Sequence, residues 1–123
     1  MALGGSMIQD LPTETSSTID HKPGFATPSH EVEITTGTRL NDIIGSTTLQ
    51  VNSMHHQACD KLGSGVLVAA RAPDGVVESY EVQGYDFALA VQWHPEALMD
   101  VPEQLKIYQA LVEAAERNSR ARR

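Results

Sequence analysis

"GVLVAARAPDGVVESYEV", residues 65–82, predicts two strands joined by a tight turn. Pro73 fixes its own φ, and the pair Asp74-Gly75 tolerates the positive φ at which a hairpin reverses. This β-hairpin is the strongest local signal in the chain. The remaining elements are predicted outward from it.

The segments upstream of the hairpin predict a sheet with a helix beside it. "HEVEITT" (30–36) alternates Val32 and Ile34 with polar neighbours, which is the period of a half-buried strand. "TRLNDIIG" (38–45) places apolar residues on one helical face and ends on a glycine, which predicts a short helix with a glycine C-cap. "TLQVNS" (48–53) predicts another strand.

Downstream, the pattern predicts a buried strand followed by a long helix. "DFALAVQW" (86–93) is a nearly continuous apolar run, typical of a strand buried on both faces. Asp100 and Glu103 have the spacing of a capping box and precede "VPEQLKIYQALVEAAERN" (101–118), an amphipathic pattern. The face predicted to pack on the sheet consists of Leu105, Tyr108, Leu111, Val112 and Ala115.

Composition divides the chain into three parts within a single predicted domain. Residues 1–30 are rich in Gly, Ser, Thr and Pro and predict an irregular, loop-rich segment, in which His21 and His30 are expected to be surface or loop residues. Residues 31–118 carry the predicted strands and helices. Residues 119–123 form a basic tail, interpreted as solvated.

Charge and hydropathy exclude several classes of partner. With 123 residues and a formal net charge of -7, the chain lacks the basic patch of a nucleic-acid binder. It also lacks the roughly 20-residue apolar stretch that would cross a bilayer. A lone cysteine, Cys59, forms no internal disulfide and fits a reducing compartment. We therefore expect a soluble, cytoplasmic protein with no nucleic-acid and no membrane partner.

The chemistry predicted from the residues centres on "VQWHPE" (91–96), at the end of the last predicted strand. In an extended backbone His94 and Glu96 point to one side, while Trp93 and Pro95 point away. A carboxylate that accepts one ring N–H of an imidazole leaves the other nitrogen free to take a proton from a nucleophile. The pair is therefore a candidate His-acid half of a catalytic triad. The alternative is a strand end whose polar side chains simply meet solvent.

Four motifs, in order and with ordinary spacing, resemble the C-terminal half of the class I glutamine amidotransferase-like superfamily. The nearest match is its γ-glutamyl hydrolase branch, which includes γ-glutamyl-γ-aminobutyrate hydrolase. The resemblance implies an α/β fold: the C-terminal part of a flavodoxin-like, three-layer class I amidotransferase fold, here residues 31–118, with a mixed sheet, a β-hairpin and a C-terminal amphipathic helix. The motifs are "ALGGSMIQDLP" (2–12), "VNSMHHQA" (51–58), "APDGVVESYEV" (72–82) and "VQWHPE" (91–96).

The resemblance also implies a reaction and its residues. In the family a cysteine in a Gly-x-Cys-x-Gly turn attacks a γ-glutamyl amide or glutamine, and His94 and Glu96 match its catalytic partners. Ser53, His55 and His56 match the loop that binds the γ-glutamyl group, with His56 as an alternative anchor for that loop. Neither a metal nor an organic cofactor is implied. The nucleophile turn, however, does not occur in these 123 residues.

Two other uses of the polar residues are disfavoured by their spacing. Cys59 follows His55 and His56 within one helical turn, but no glycines flank it to form a nucleophile elbow, so a buried, inert thiol is predicted. A metal site built from these residues and His94 is disfavoured because adjacent histidines on a strand point to opposite faces and paired zinc-ligand spacings are absent. No metal site is predicted.

These observations favour part of a Cys-His-Glu γ-glutamyl amide hydrolase that is inactive by itself, and whether the chain is an enzyme stays open. The expected ligand is a γ-glutamyl amide or glutamine. A homodimer or a nucleophile-bearing partner chain is expected to cover the sheet edge that the missing nucleophile strand would occupy. The alternatives are one half of a split amidotransferase and a non-catalytic binding or interaction protein.

Overall fold

Seven strands form one sheet in the computed structural model, which describes residues 2–121. The two longest antiparallel neighbours, β5 and β6, are the arms of the predicted hairpin, and Gly75 in the turn between them has a φ of 87°. The hairpin prediction is confirmed. The strands are β1 (Met7–Ile8), β2 (His30–Ile34), β3 (Thr48–Val51), β4 (Ala58–Cys59), β5 (Val66–Arg71), β6 (Val77–Val82) and β7 (Leu89–Val91).

The hairpin lies in the middle of the sheet, whose order is β1-β4-β6-β5-β2-β3. β6 has β5 on one side, while β4 and β7 share its other side. Cys59 of β4 faces Val77, and β7 pairs with residues 79–81. The strand pairs described in residues 2–121 are all antiparallel.

Local signals in the sequence place the short helix before β3. The Thr38 side chain accepts a hydrogen bond from the Asn41 amide at 3.2 Å, and Gly45 ends the helix with a φ of 77°. Glycine adopts this left-handed conformation without the cost that a Cβ would bring, so the predicted C-cap is confirmed. The helices are α1 (Leu11–Glu14), α2 (Arg39–Ile44) and α3 (Pro102–Ala121), with a 3₁₀ turn at Pro95–Ala97.

The main core lies between the sheet and the helices α2 and α3. The alternation predicted for β2 is confirmed, since Val32 and Ile34 are buried and their neighbours Glu31 and Glu33 are exposed. This apolar face drives the packing of the helices onto the sheet. The core consists of Val32, Ile34, Leu40, Ile44, Leu49, Val51, Ala69, Ala70, Trp93 and Ile107.

β7 differs from the strand predicted at residues 86–93. It is only three residues long and half-buried, whereas the apolar run predicted a longer strand buried on both faces. Within the described residues β7 pairs with β6 alone, so its second edge has no neighbouring strand there. Leu89 and Val91 pack against the core, and Ala90 lines an open cavity instead.

The face that α3 buries also differs from the prediction. Gln104, Ile107 and Ala114 are its buried residues, while Leu111 and Val112 are 49% and 57% exposed. The prediction failed because it ranked residues by hydropathy, and the buried face includes a glutamine held by hydrogen bonds. The helix continues to Ala121, so residues 119–121 of the predicted tail are helical; Arg122 and Arg123 lie outside the described residues.

Residues 2–30 are mostly irregular, with only the short elements β1 and α1. They nevertheless supply Leu11 to a small second cluster with Ala58, Ala72 and Val76. Across the part of the chain that the structure describes, no helix has both the length and the apolar character needed to span a bilayer.

Candidate active site and a buried carboxylate cluster

His94 and Glu96 are in direct contact at the end of β7. His94 Nδ1 lies 2.7 Å from Glu96 Oε1, and the two side chains are 38% and 61% exposed. The backbone is not extended here as the sequence pattern predicted, because Glu96 lies in the 3₁₀ turn that follows His94. The turn brings the two side chains together. With Nδ1–H donated to the carboxylate, Nε2 is the nitrogen left to exchange a proton.

The contact changes the proton affinity of Glu96. The hydrogen bond from His94 holds the pKa of the Glu96 carboxyl below its usual value of 4.5. Burial and the charge of this carboxylate raise the pKa of the nearby Tyr108 phenol, on α3, above 10.0. At neutral pH Glu96 is therefore ionised and able to stabilise an imidazolium at His94.

A buried amide fixes the backbone of His94. Asn52 Oδ1 accepts a hydrogen bond from His94 N at 2.8 Å, and Asn52 Nδ2 donates to His94 O at 2.9 Å and to Phe25 O at 2.6 Å. Asn52 directly follows β3 and is fully buried. Sequence reasoning assigned it no role, although a buried asparagine beside Ser53 in "VNS" was the available signal.

The residues beside His94 are also fixed by packing and hydrogen bonds. Trp93 is buried in the main core, and its Nε1–H donates to Gln104 Oε1 at 3.0 Å. Gln104 in turn donates to the backbone oxygen of Gln50 at 3.0 Å, which links α3 to β3. The ring of Phe25 lies 5.7 Å from the His94 ring, between centroids. The imidazole therefore stands on a rigid backbone with its outer edge open.

A second group of polar side chains surrounds Glu78, which lies in β6 and whose side chain is 0% exposed. Its Oε1 atom lies 3.2 Å from His21 Nδ1, 3.4 Å from His55 Nε2 and 3.7 Å from His30 Nε2. His21 and His30 are themselves buried, so the prediction that they are surface or loop residues is wrong. We call these four residues, His21, His30, His55 and Glu78, the Glu78 cluster.

Charges inside the Glu78 cluster oppose the effect of burial. Burial raises the pKa of Glu78, but the contacts with His21 and His55 outweigh it and hold the pKa below its usual value of 4.5. Burial likewise lowers the pKa of His21, while Glu78 and Asp74 outweigh it and raise the pKa above 6.5. Asp74, in the hairpin turn, accepts from His21 Nε2 at 2.9 Å and from the Ser17 hydroxyl.

The loop residues assigned to substrate binding lie close to this cluster. Ser53 is fully buried and donates to the backbone oxygen of His21 at 3.1 Å, so its side chain supports the cluster. His55 belongs to the cluster and also lines a cavity of about 660 Å³. His56 is exposed and pairs with Asp10 at 3.1 Å, which ties its loop to the start of α1. Their roles in substrate binding stay predictions.

That cavity adjoins the sheet beside the free edge of β7. It is lined by residues of β5, β6 and β7 that alternate with those facing the main core, among them Val66, Tyr80, Val82 and Ala90. Gln92 lines it, and His94, two residues further on, does not. His94 is thus neither sealed in apolar packing nor enclosed in a pocket by the described residues.

Comparison with known proteins places these features in a family. The chain is 41% identical over 116 residues to the "Putative glutamine amidotransferase" of Mycobacterium tuberculosis, covering 94% of this chain and 36% of that protein. It is 36% identical over 105 residues to the γ-glutamyl-γ-aminobutyrate hydrolase of Escherichia coli, covering 78% of this chain and 41% of the relative. The chain therefore spans well under half the length of these two relatives.

The fold is also found among solved structures. A "putative GMP synthase" protein from Thermoplasma acidophilum superposes with a TM-score of 0.69 at 12% identity, covering 98% of this chain and 53% of that one. The α/β prediction is confirmed by this likeness. The sequence model of the peptidase C26 family matches residues 1–96 of the 123. The chain belongs to the peptidase C26 family, a glutamine amidotransferase-like group.

Proposed function

We propose that this chain supplies the general base, His94, and its orienting carboxylate, Glu96, to a cysteine-dependent hydrolysis of γ-glutamyl amides. The observation that carries the proposal is the 2.7 Å contact between His94 Nδ1 and Glu96 Oε1, which leaves Nε2 on a half-exposed ring free. The likeness to the γ-glutamyl-γ-aminobutyrate hydrolase of Escherichia coli supports the choice of substrate class.

The proposed reaction runs through a thioester. His94 Nε2 takes the proton of a cysteine thiol, and the thiolate attacks the γ-carbonyl carbon to form a C–S bond. The C–N bond breaks as His94 returns that proton to the leaving amine. Water then attacks the thioester while His94 takes one of its protons, and the thiol is regenerated as γ-glutamate leaves. Glu96 stabilises the imidazolium in both halves of the cycle.

The thiol for this reaction has to come from a segment beyond these 123 residues. Cys59 lies in β4, without the flanking glycines of a nucleophile elbow. A free strand edge and an apolar concave surface are the features to which a further strand and helix attach. The edge of β7 and the adjoining cavity are therefore the proposed attachment surface, either for another part of the same polypeptide or for a partner chain.

A chimera tests the proposal. The matched C-terminal region of the Escherichia coli hydrolase is replaced by this chain, and hydrolysis of γ-glutamyl-γ-aminobutyrate is measured. We expect activity in the chimera and none in the 123-residue chain alone. Because general acid–base catalysis contributes about 100- to 10,000-fold, His94→Ala should lower kcat/KM by a factor in that range.

The control is Glu113→Gln, an exposed carboxylate on α3, which should leave kcat/KM unchanged while Glu96→Gln lowers it. Circular dichroism establishes that each chimera is folded. A folded chimera with a reactive thiol but no hydrolysis, or one whose hydrolysis survives His94→Ala, overturns the proposal. Such a result favours the non-catalytic binding protein.

A further inference from the structure

The Glu78 cluster holds four buried polar atoms with no hydrogen-bond partner. They are both carboxylate oxygens of Glu78 and the Nε2 atoms of His30 and His55. An unpaired polar atom in a protein interior costs about 1–3 kcal/mol, and more when the group is charged. Four such atoms facing one another are unlike the rest of this fold, in which buried Asn52 and Gln104 are bonded.

The outer nitrogens of the three rings determine what the inner nitrogens carry. His30 Nδ1 lies 3.1 Å from the Glu31 backbone oxygen, and His55 Nδ1 lies 2.8 Å from the Gln57 backbone oxygen. A carbonyl oxygen only accepts, so both rings donate through Nδ1 and, when neutral, present a bare lone pair at Nε2. His21 Nε2 is likewise used, by the Asp74 carboxylate at 2.9 Å.

The interior of the cluster is therefore made of acceptors. Bare imidazole nitrogens face a carboxylate that also only accepts, and such an arrangement is repulsive unless a positive charge lies between the groups. Two charges fit the description: an added proton on a histidine, or a metal ion. The surrounding contacts favour the metal, because metal-binding histidines characteristically donate their other N–H to a carboxylate or a backbone carbonyl.

The distances also fit a metal site. A zinc–nitrogen bond of about 2.0–2.1 Å separates neighbouring ligand atoms of a tetrahedral site by about 3.3 Å. The distances from Glu78 Oε1 to the three nitrogens are 3.2, 3.4 and 3.7 Å. The ligand atoms of His21, His30 and Glu78 all lie within 4.8 Å of one another. Imidazole ligands with one carboxylate suit zinc and its late first-row neighbours.

We propose that His21, His30 and Glu78 bind a divalent transition-metal ion, zinc in the first place, with His55 as the fourth ligand. This site is separate from the proposed reaction at His94, and the expectation from sequence that the chain has no metal site is revised accordingly. The side chains of His21, His30 and Glu78 are at most 6% exposed, which is typical of closed, structural zinc sites rather than catalytic ones.

The position of the site gives the ion a structural role. Its ligands come from the irregular N-terminal segment, from the start of β2, from the loop after β3 and from β6. One ion would therefore join four separate parts of the chain, including the loop that carries Ser53 and His55. Glu78 and His55 also line the 660 Å³ cavity, which provides a route of entry for the ion.

The test uses the untagged 123-residue chain, first stripped with a chelator and then titrated with zinc and, separately, with cobalt(II). We expect about one equivalent of zinc by elemental analysis after desalting, and a rise in Tm on adding zinc, since an ion that binds only the folded state stabilises it. Cobalt(II) should give the intense visible absorption of tetrahedral coordination. A protonated histidine produces none of these signals.

The variants are His30→Gln and Glu78→Gln, with His56→Gln as the matched control on an exposed histidine next to the cluster. Removal of an outer-shell partner typically weakens metal binding by about 10- to 100-fold, so loss of a ligand should weaken it at least about 100-fold. His56→Gln should bind as the unaltered chain does. If a ligand variant does not fold, the cobalt spectrum and stoichiometry of the unaltered chain decide.

Three results overturn the proposal. The first is less than a tenth of an equivalent of zinc retained by the folded chain. The second is cobalt bound with the weak absorption of octahedral coordination. The third is binding that survives His30→Gln and Glu78→Gln unchanged. Each of these leaves a proton as the charge that holds the cluster together. None of the readouts depends on hydrolysis, so failure here and failure of the proposed reaction are distinguishable.

Discussion

Asn52 bonds both backbone polar groups of His94 and a third group, the Phe25 carbonyl. One side chain thus satisfies three main-chain groups contributed by two separate segments. In the low-dielectric interior these bonds are strong, and the groups have no water to replace the amide if it is lost. Asn52 is therefore a positioning residue for the imidazole, although it touches neither Glu96 nor the His94 ring in the hydrogen bonds described.

Asn52→Ala should destabilise the chain by about 2–4 kcal/mol, because it leaves up to three main-chain groups without partners. The free energy of unfolding is measured by urea denaturation. Gln50→Ala is the matched control: Gln50 is exposed, and the backbone oxygen that Gln104 uses is retained, so a change within about 0.5 kcal/mol is expected. Equal losses in the two variants would contradict the role assigned to Asn52.

The pKa of Glu96 provides a direct test of the contact with His94. Removal of the imidazole by His94→Ala should raise the carboxyl pKa from its lowered value toward 4.5, as followed by NMR titration of the Glu96 carboxyl carbon. His56→Ala, which removes a distant exposed histidine, should leave the titration unchanged. An identical Glu96 titration in the His94→Ala variant would show that the contact does not form in solution.

The sign of the accompanying stability effect follows from the direction of the shift. A carboxyl whose pKa is lowered by folding contributes stability above its unfolded pKa, near 4.5, and loses it as the pH falls through the lowered value. Glu96 is 61% exposed, so solvent screens the interaction and the effect on stability is small. Titration is therefore the sensitive measurement, and global unfolding is not.

At the scale of elements, α3 shows how a polar residue can determine a packing face. Gln104 is fully buried, and its amide joins the Trp93 indole to the backbone of β3. Ile107 and Ala114 follow on the same side of the helix, while Leu111 and Val112 point toward solvent. The orientation of the helix is thus fixed by two hydrogen bonds as well as by apolar area.

Ile107→Ala should cost about 2–4 kcal/mol, because it leaves a cavity in the main core. Val112→Ala should change stability by less than about 0.5 kcal/mol, since Val112 is 57% exposed. Urea denaturation of the two variants compares the observed face with the face that hydropathy predicts. If Val112→Ala is the more damaging substitution, the orientation of α3 described above is wrong.

The elements that sequence predicted correctly carry their own local signals. Asp74-Gly75 specifies the reversal of the hairpin, and Thr38 and Gly45 mark the two ends of α2. α3 and β7 were predicted as elements but not in their details. The burial of Gln104 depends on partners far along the chain, and the length of β7 depends on neighbours that a local pattern does not describe.

At the scale of the whole molecule, sequence separation decides which contacts can be predicted. His94 and Glu96 are two positions apart, so a short motif was enough to pair them, although the 3₁₀ turn differs from the extended backbone assumed. His21 and Glu78 are brought together only by the sheet, and no local spacing indicates their contact. The Glu78 cluster was therefore missed, and its histidines were assigned to the surface or to the substrate loop.

The sheet also explains how one chain can hold two chemically different centres. β6 carries Glu78 into the interior, while its neighbour β7 leads directly to His94 at the surface. Gln92 donates its backbone N–H to the Glu78 carbonyl at 2.7 Å, so the two strands are bonded between the two centres. The open edge of β7 keeps the second centre accessible to a further segment, as the proposed reaction requires.

Trp93 is the single tryptophan of the chain, it is 2% exposed, and it directly precedes His94. Its indole is bonded to Gln104, so the chromophore is held in a dry environment whose rigidity depends on the end of β7. The emission of this one side chain therefore serves as an intrinsic optical probe of the candidate active site. Docking of a further segment or of a ligand at His94 is observable by fluorescence without any added label.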